Sequence, residues 1–216
     1  MGTITVADRI ALASQLLDDP AGERWNAAFH LKSINDGQRD IVSLRPDANP
    51  VTATVQLAAG SFQEVPAIYS ALVGLRCNMG STGSVWSRMI GQRSFAEISA
   101  VNPYWPADDP DSEVLYWMYD RQNNPRQYAV YPPQPSSGQG YVQGIFSQLP
   151  ADVAENGVIT LGDEFAEPLL FFMLSRAKAL DRDETLDMAM AEKFRRAYFE
   201  LLGVQDEARQ KSGGPA

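Results

Sequence analysis

The spacing of apolar residues changes twice along this 216-residue chain, and that constrains its fold more than any other feature. Through Val6–Leu44 apolar side chains recur every three or four residues, the repeat of an amphipathic helix. From Val51 the repeat becomes two: Val51, Val55 and Leu57 alternate with Thr52, Thr54 and Gln56, as in a half-buried strand. After Leu161 helical spacing returns. Many short strands with no long helix between them predict an antiparallel sandwich or small barrel, and no parallel sheet. The expected class is therefore α+β. N- and C-terminal helix pairs (residues 1–46 and 163–204) form an antiparallel bundle, residues 47–162 a β-rich insert, and residues 205–216 a flexible C-terminal tail.

Local signals place the elements. Thr5 with Asp8 resembles a capping box, Val6, Ile10, Ala13 and Leu17 share a face, and Asp18-Asp19-Pro20 ends the first helix. The second helix runs from about Asn26 to Arg45, with Ala27, Leu31, Ile34, Ile41 and Leu44 on its apolar side. Gly37 inside it costs about 1 kcal/mol relative to Ala, which predicts another helix packed closely there. Pro46 stops it. Strands are expected at Val51–Leu57, Phe62–Tyr69, Leu72–Asn78, Val85–Ile90, Glu113–Tyr119, Gln127–Tyr131 and Tyr141–Leu149, separated by turn signals that include Pro132-Pro133. A third helix opens between Asp163 and Pro168 and ends near Leu180. A fourth starts near Asp183, aligns Leu186, Met190, Phe194, Ala197 and Leu201, and is capped by Gly203.

Charge is distributed unevenly. The net charge is −9, and residues 101–164 alone hold 9 acidic and 2 basic groups. Gripping nucleic acid takes clustered Lys and Arg, so specific DNA or RNA binding is not expected. The longest apolar run, Leu169–Leu174, is far below the ~20 residues of a membrane helix. One cysteine, Cys77, leaves no internal disulfide and no thiol pair for zinc. The first residues lack the basic and apolar regions of a signal peptide, and Val6 breaks the myristoylation pattern. An intracellular, reduced setting without membrane attachment is the expectation.

Catalytic signatures are sparse. Any Ser-His or Cys-His scheme must use His30, the single histidine. Gly80-Ser81-Thr82-Gly83-Ser84 is glycine-rich but carries no P-loop lysine. Asp108, Asp109, Asp111 and Glu113 form the sharpest carboxylate cluster, yet the glycine and distant glutamate of a calcium loop are out of place, so no metal and no cofactor are expected. Trp105, Trp117, Tyr104, Tyr116 and Tyr119 could line a sugar cleft, but aromatics on strands are more often core or subunit interface. Lys193, Arg195 and Arg196 read as a solvated helix face. A chain so equipped binds or builds rather than catalyses.

Trp25, the run Asn35-Asp36-Gly37-Gln38-Arg39-Asp40-Ile41-Val42 and Leu44-Arg45-Pro46-Asp47-Ala48 resemble a tailed-phage head-to-tail adaptor family, the connectors or tail tubular protein A of short-tailed phages. The likeness continues through Asn78, Asn102-Pro103-Tyr104-Trp105, Tyr131-Pro132-Pro133, Leu149-Pro150-Ala151-Asp152, Asp163-Glu164-Phe165 and Arg176-Ala177-Lys178-Ala179-Leu180-Asp181. Pro168 and the polar segment at Gln139-Gly140 depart from it. The resemblance implies a structural virion protein at the head–tail junction, assembled in the host cytoplasm. It would form a ring, usually dodecameric, beneath the portal protein. That ring would receive the tail nozzle or other tail proteins and pass DNA through its lumen.

On that reading Asp108, Asp109, Asp111 and Glu113 would line the lumen, and Arg209 and Lys211 would help the tail dock on the portal. Trp25, Asn35, Gln38, Arg39, Tyr104 and Trp105 are candidates for subunit contacts or for bracing within the chain. For Asn35, Gln38 and Arg39 the intrachain role, bracing the helices against the β-rich part, is preferred, because buried polar groups must be paired. Two rivals come from other classes: a carbohydrate-acting hydrolase using Asp109, Asp111 or Glu113, and a monomeric binding module for a peptide or other small partner.

Overall fold

The computed structural model describes residues 2–180 and 185–204. In chain order the elements are α1 (Val6–Leu16), α2 (Ala27–Leu44), β1 (Pro50–Gln56), β2 (Gly60–Glu64), β3 (Ala71–Asn78), β4 (Gly91–Gln92), α3 (Phe95–Val101), β5 (Tyr116–Tyr119), β6 (Gln127–Gln134), β7 (Tyr141–Ser147), α4 (Ala166–Leu180) and α5 (Thr185–Leu202). The architecture is mixed α+β. Contacts divide it into two compact units: the described residues through Ala48 and from Leu149 onward, and Asn49–Gln148. Residues 149–162 thus belong with the helices.

In the first unit the caps do what their residue types dictate. The Thr5 hydroxyl accepts the Asp8 N–H at 3.1 Å, and the Asn26 side chain accepts the Phe29 N–H at 2.9 Å. A 3-10 turn at Asp163–Phe165 leads into α4, so Pro168 falls in the opening turn, where its missing N–H costs nothing. At the end of α5, Gly203 takes φ +65°, with Val204 N–H on the Phe199 carbonyl and Gly203 N–H on that of Glu200. The core is fully buried Ile34, Ile41 and Val42 of α2 against Leu169, Met173 and Ala177 of α4. A Cβ on Gly37 would lie 2.6 Å from Leu169 Cδ1 and 2.8 Å from Phe172 Cδ1, the close helix approach that the interior glycine predicts.

α5 differs from expectation in phase. Ala191, Tyr198 and Leu202 are buried, whereas Leu201 is exposed. Two apolar series one residue apart both satisfy helical spacing. The large Tyr198 side chain, whose hydroxyl donates to Asp40 at 2.5 Å, marks the one that packs. The expected start at Asp183 lies outside the described residues.

The second unit holds two sheets, ordered β1-β7-β3 and β2-β6-β5-β4. Neither sheet is a parallel one, but two residues of β4 and β5 pair in parallel. The reason is a helix that the apolar period did not reveal. α3 crosses between those strands, opened by a capping box in which Ser94 Oγ accepts the Glu97 N–H and Glu97 accepts the Ser94 N–H. Val85–Ile90 is not a strand: Val85, Trp86 and Met89 are exposed, and a lone bridge joins Met89 to Cys77. Pro132 and Pro133 lie within β6 rather than in a turn. The β2 register jumps from Phe62↔Ala129 to Gly60↔Gln134, so no ladder donor is required of either proline there. The core packs Leu72, Trp117, Val130, Val142 and Phe146 around Tyr128, whose phenol burial pushes up to about 12. Tyr69 stacks on Phe146 at 4.7 Å.

Candidate functional site

α2 presents a polar row to the segment that leads into α4. The Asn35 side chain donates to the Val153 carbonyl at 3.2 Å and accepts the Val153 N–H at 2.9 Å, imitating one rung of a strand ladder. One turn on, fully buried Gln38 accepts the Thr160 N–H at 2.8 Å and the Leu161 N–H at 3.4 Å. Arg39 pairs with Asp152 and Asp36. Burial pushes the Asp36 carboxyl up, but hydrogen bonds from Lys32 and Arg176 outweigh it and hold the group below its ordinary value. The start of the chain joins the same segment: Thr3 donates its N–H and hydroxyl to Asp163, each at 2.7 Å, and Thr5 bridges to Val158. These partners all lie within one compact unit, so the row braces residues 152–163 onto the helices and not the helices onto the sheets.

Trp25 is half-buried against Phe29 at 4.8 Å, on a turn that Asp19 closes by accepting the N–H groups of Glu23, Arg24 and Trp25. Those bonds hold the Asp19 carboxyl low. The adjacent residues Tyr104 and Trp105 part company: Trp105 is buried between Phe62 and Phe95, and Tyr104 is 80% exposed.

The carboxylates of residues 108–113 organise their own loop. Asp108 accepts from Asn102 at 2.9 Å and from the Tyr131 hydroxyl at 2.8 Å, which raises that phenol. Asp111 accepts the Glu113 N–H at 2.9 Å, while its own backbone meets Pro133 and Gln134. Asp108, Asp109 and Asp111 are exposed and Glu113 is half-buried. No cluster of three or more potential metal ligands occurs among the described residues. Arg209 and Lys211 lie outside the described residues.

Two features escaped the sequence. Ser14 Oγ lies 3.4 Å from His30 Nε2, a serine–histidine pair. A working pair needs the far ring nitrogen oriented, and His30 Nδ1 has no partner, while Asp19 is spent on backbone N–H groups. Burial lowers the imidazole pKa, so His30 reads as a core residue. The second is the bonding of Asn78, a residue named in the resemblance without a role, which sits buried in the other unit. It accepts the Val114 N–H and donates to the Val114 and Arg88 carbonyls, pinning the loop after β3 beside the acidic segment.

No helix among the described residues is long and apolar enough to cross a membrane. No curated protein matches the chain. A family profile, SU10 adaptor protein, matches residues 4–216. A chain whose polar side chains brace its own segments, and which this profile covers almost end to end, belongs to the SU10 adaptor family of phage head-to-tail adaptors.

Proposed function

We propose that this adaptor works as a ring, dodecameric as the resemblance implies, seated on the portal protein at the head–tail junction. The ring receives the tail nozzle or other tail proteins and lets DNA pass through its lumen. The family match over residues 4–216 carries the reading. Side-chain placement supports it: the candidate polar residues spend their hydrogen bonds on internal architecture, which suits a part that works by shape. Asp108, Asp109 and Asp111, exposed on one loop, and half-buried Glu113 form a lumen surface that repels phosphates, so DNA slides without sticking. Arg209 and Lys211 contribute to portal docking. Subunits assemble in the host cytoplasm and end in the virion.

Mixing the full chain with the cognate portal and imaging by electron microscopy tests the reading. A ring stacked on the portal is expected, and bare portals overturn it. Reversing Asp108, Asp109 and Asp111 to Lys should slow DNA ejection most at low salt, and unchanged ejection removes the lumen role. Truncation after Gly203 should weaken portal binding, and undiminished binding removes the role of Arg209 and Lys211.

A further inference from the structure

An open groove of 840 Å³ runs between α4 and α5, floored by Phe172, Ala179 and Phe199 and edged by Met188. Its charges are almost all satisfied from within: Asp40 accepts from Tyr198, Arg176 binds Asp36, and Glu192 pairs with Arg196. Arg195 is the exception. Its guanidinium lies 5.6 Å over the Phe199 ring and makes no ion pair among the described residues. The groove is thus largely apolar, and Arg195 is the cation on its wall that no ion pair among the described residues engages.

The same unit carries the complementary shape. Leu12 and Leu16 stand one turn apart on the solvent side of α1, 37% and 56% exposed. Two residues further on, Asp18 is exposed, and its carboxylate takes no partner among the described residues. That is an apolar ridge closed by a negative charge.

We infer that Leu12 and Leu16 of one copy seat in the α4–α5 groove of the next, with Asp18 meeting Arg195. The inference rests on the ring reading and names its subunit contact. Ridge and groove are different patches on different helices, which a head-to-tail contact repeating from copy to copy requires. The apolar seam supplies the attraction, and the ion pair at its edge sets the register.

Charge reversal tests it. The full chain is assembled on the cognate portal as wild type, Asp18→Arg, Arg195→Asp and the double variant, and rings are counted by electron microscopy and sedimentation. Each single reversal should reduce ring formation roughly tenfold and the double should restore it. Leu16→Lys should also reduce it roughly tenfold. Independently, Leu12→Cys with Met188→Cys, treated with a short bismaleimide, should give a ladder of covalent multimers, which neither single cysteine gives. All of these positions are exposed, and circular dichroism checks that each variant folds. If the wild type forms no ring, the ring reading falls and this contact with it. If rings form but ignore the reversals and yield no ladder, the contact alone is overturned and the groove serves another protein.

Discussion

Gln38 shows how a single polar side chain can hold a segment more than a hundred residues away in sequence. Its Oε1 serves the Thr160 and Leu161 N–H groups in a site with no solvent. Gln38→Leu conserves volume but strands the buried Leu161 N–H and the half-buried Thr160 N–H, which should cost about 2 kcal/mol. Calorimetry should show a drop in Tm of roughly 4–8 °C. From sequence the residue type was visible and the partner was not, because nothing local marks which backbone a glutamine on α2 will meet. Asn35 and Arg39 were opaque for the same reason. His30 gives a pH signature. Burial depresses its folded-state pKa below the ordinary 6.5, and the nearby Asp19 carboxylate offsets part of that. Above 6.5 both folded and unfolded states hold the ring neutral, so its contribution is flat. As pH falls below 6.5 the unfolded chain takes up the proton first and stability declines, levelling off only below the folded-state value. The pH dependence of Tm in that window should diminish in His30→Gln, and an unaltered profile would assign the decline to other groups.

Among the elements, α2 and α4 form the contact on which the helical unit turns, and Gly37 is where they touch most closely. Gly37→Val would push branched methyls into Leu169, fully buried in the core, and Phe172, half-buried against it, and should destabilise by about 2 kcal/mol although it removes an interior glycine. Chemical denaturation would show the lowered midpoint. A stabilised variant would mean that the helices separate freely. That approach was legible in the sequence because a helix-interior glycine has a cost that needs a reason. The cap at Thr5, Pro168 in the first turn of α4 and Gly203 after α5 were legible too, each through local stereochemistry. α3 was missed although Ser94 and Glu97 spell its capping box, because seven residues are too few to display a helical period. Val85–Ile90 was misread for the opposite reason. Val85, Trp86 and Met89 are on the surface, where alternation reports no burial, and only Ile90 reaches the core.

For the whole molecule, what matters is that the β-rich unit enters and leaves at one place. Asn49 and Gln148 hold each other: the Asn49 side chain donates to the Gln148 carbonyl at 2.7 Å, and the Gln148 N–H donates to the Asn49 carbonyl at 3.2 Å. Beyond them β1 and β7 pair from Pro50↔Ser147 to Gln56↔Tyr141. A unit whose ends are already zipped together gives up little when the flanking chain is cut away, and its core of Leu72, Trp117, Tyr128, Val142 and Phe146 is its own. Residues 49–148 expressed alone should therefore fold and unfold cooperatively, with dispersed amide resonances that overlay those of the full chain. A collapsed spectrum would show that the sheets depend on the helices. In that case the charge-reversed ring variants, altered only just after α1 and on α5, should be checked for sheet content before any loss of assembly is ascribed to the contact itself.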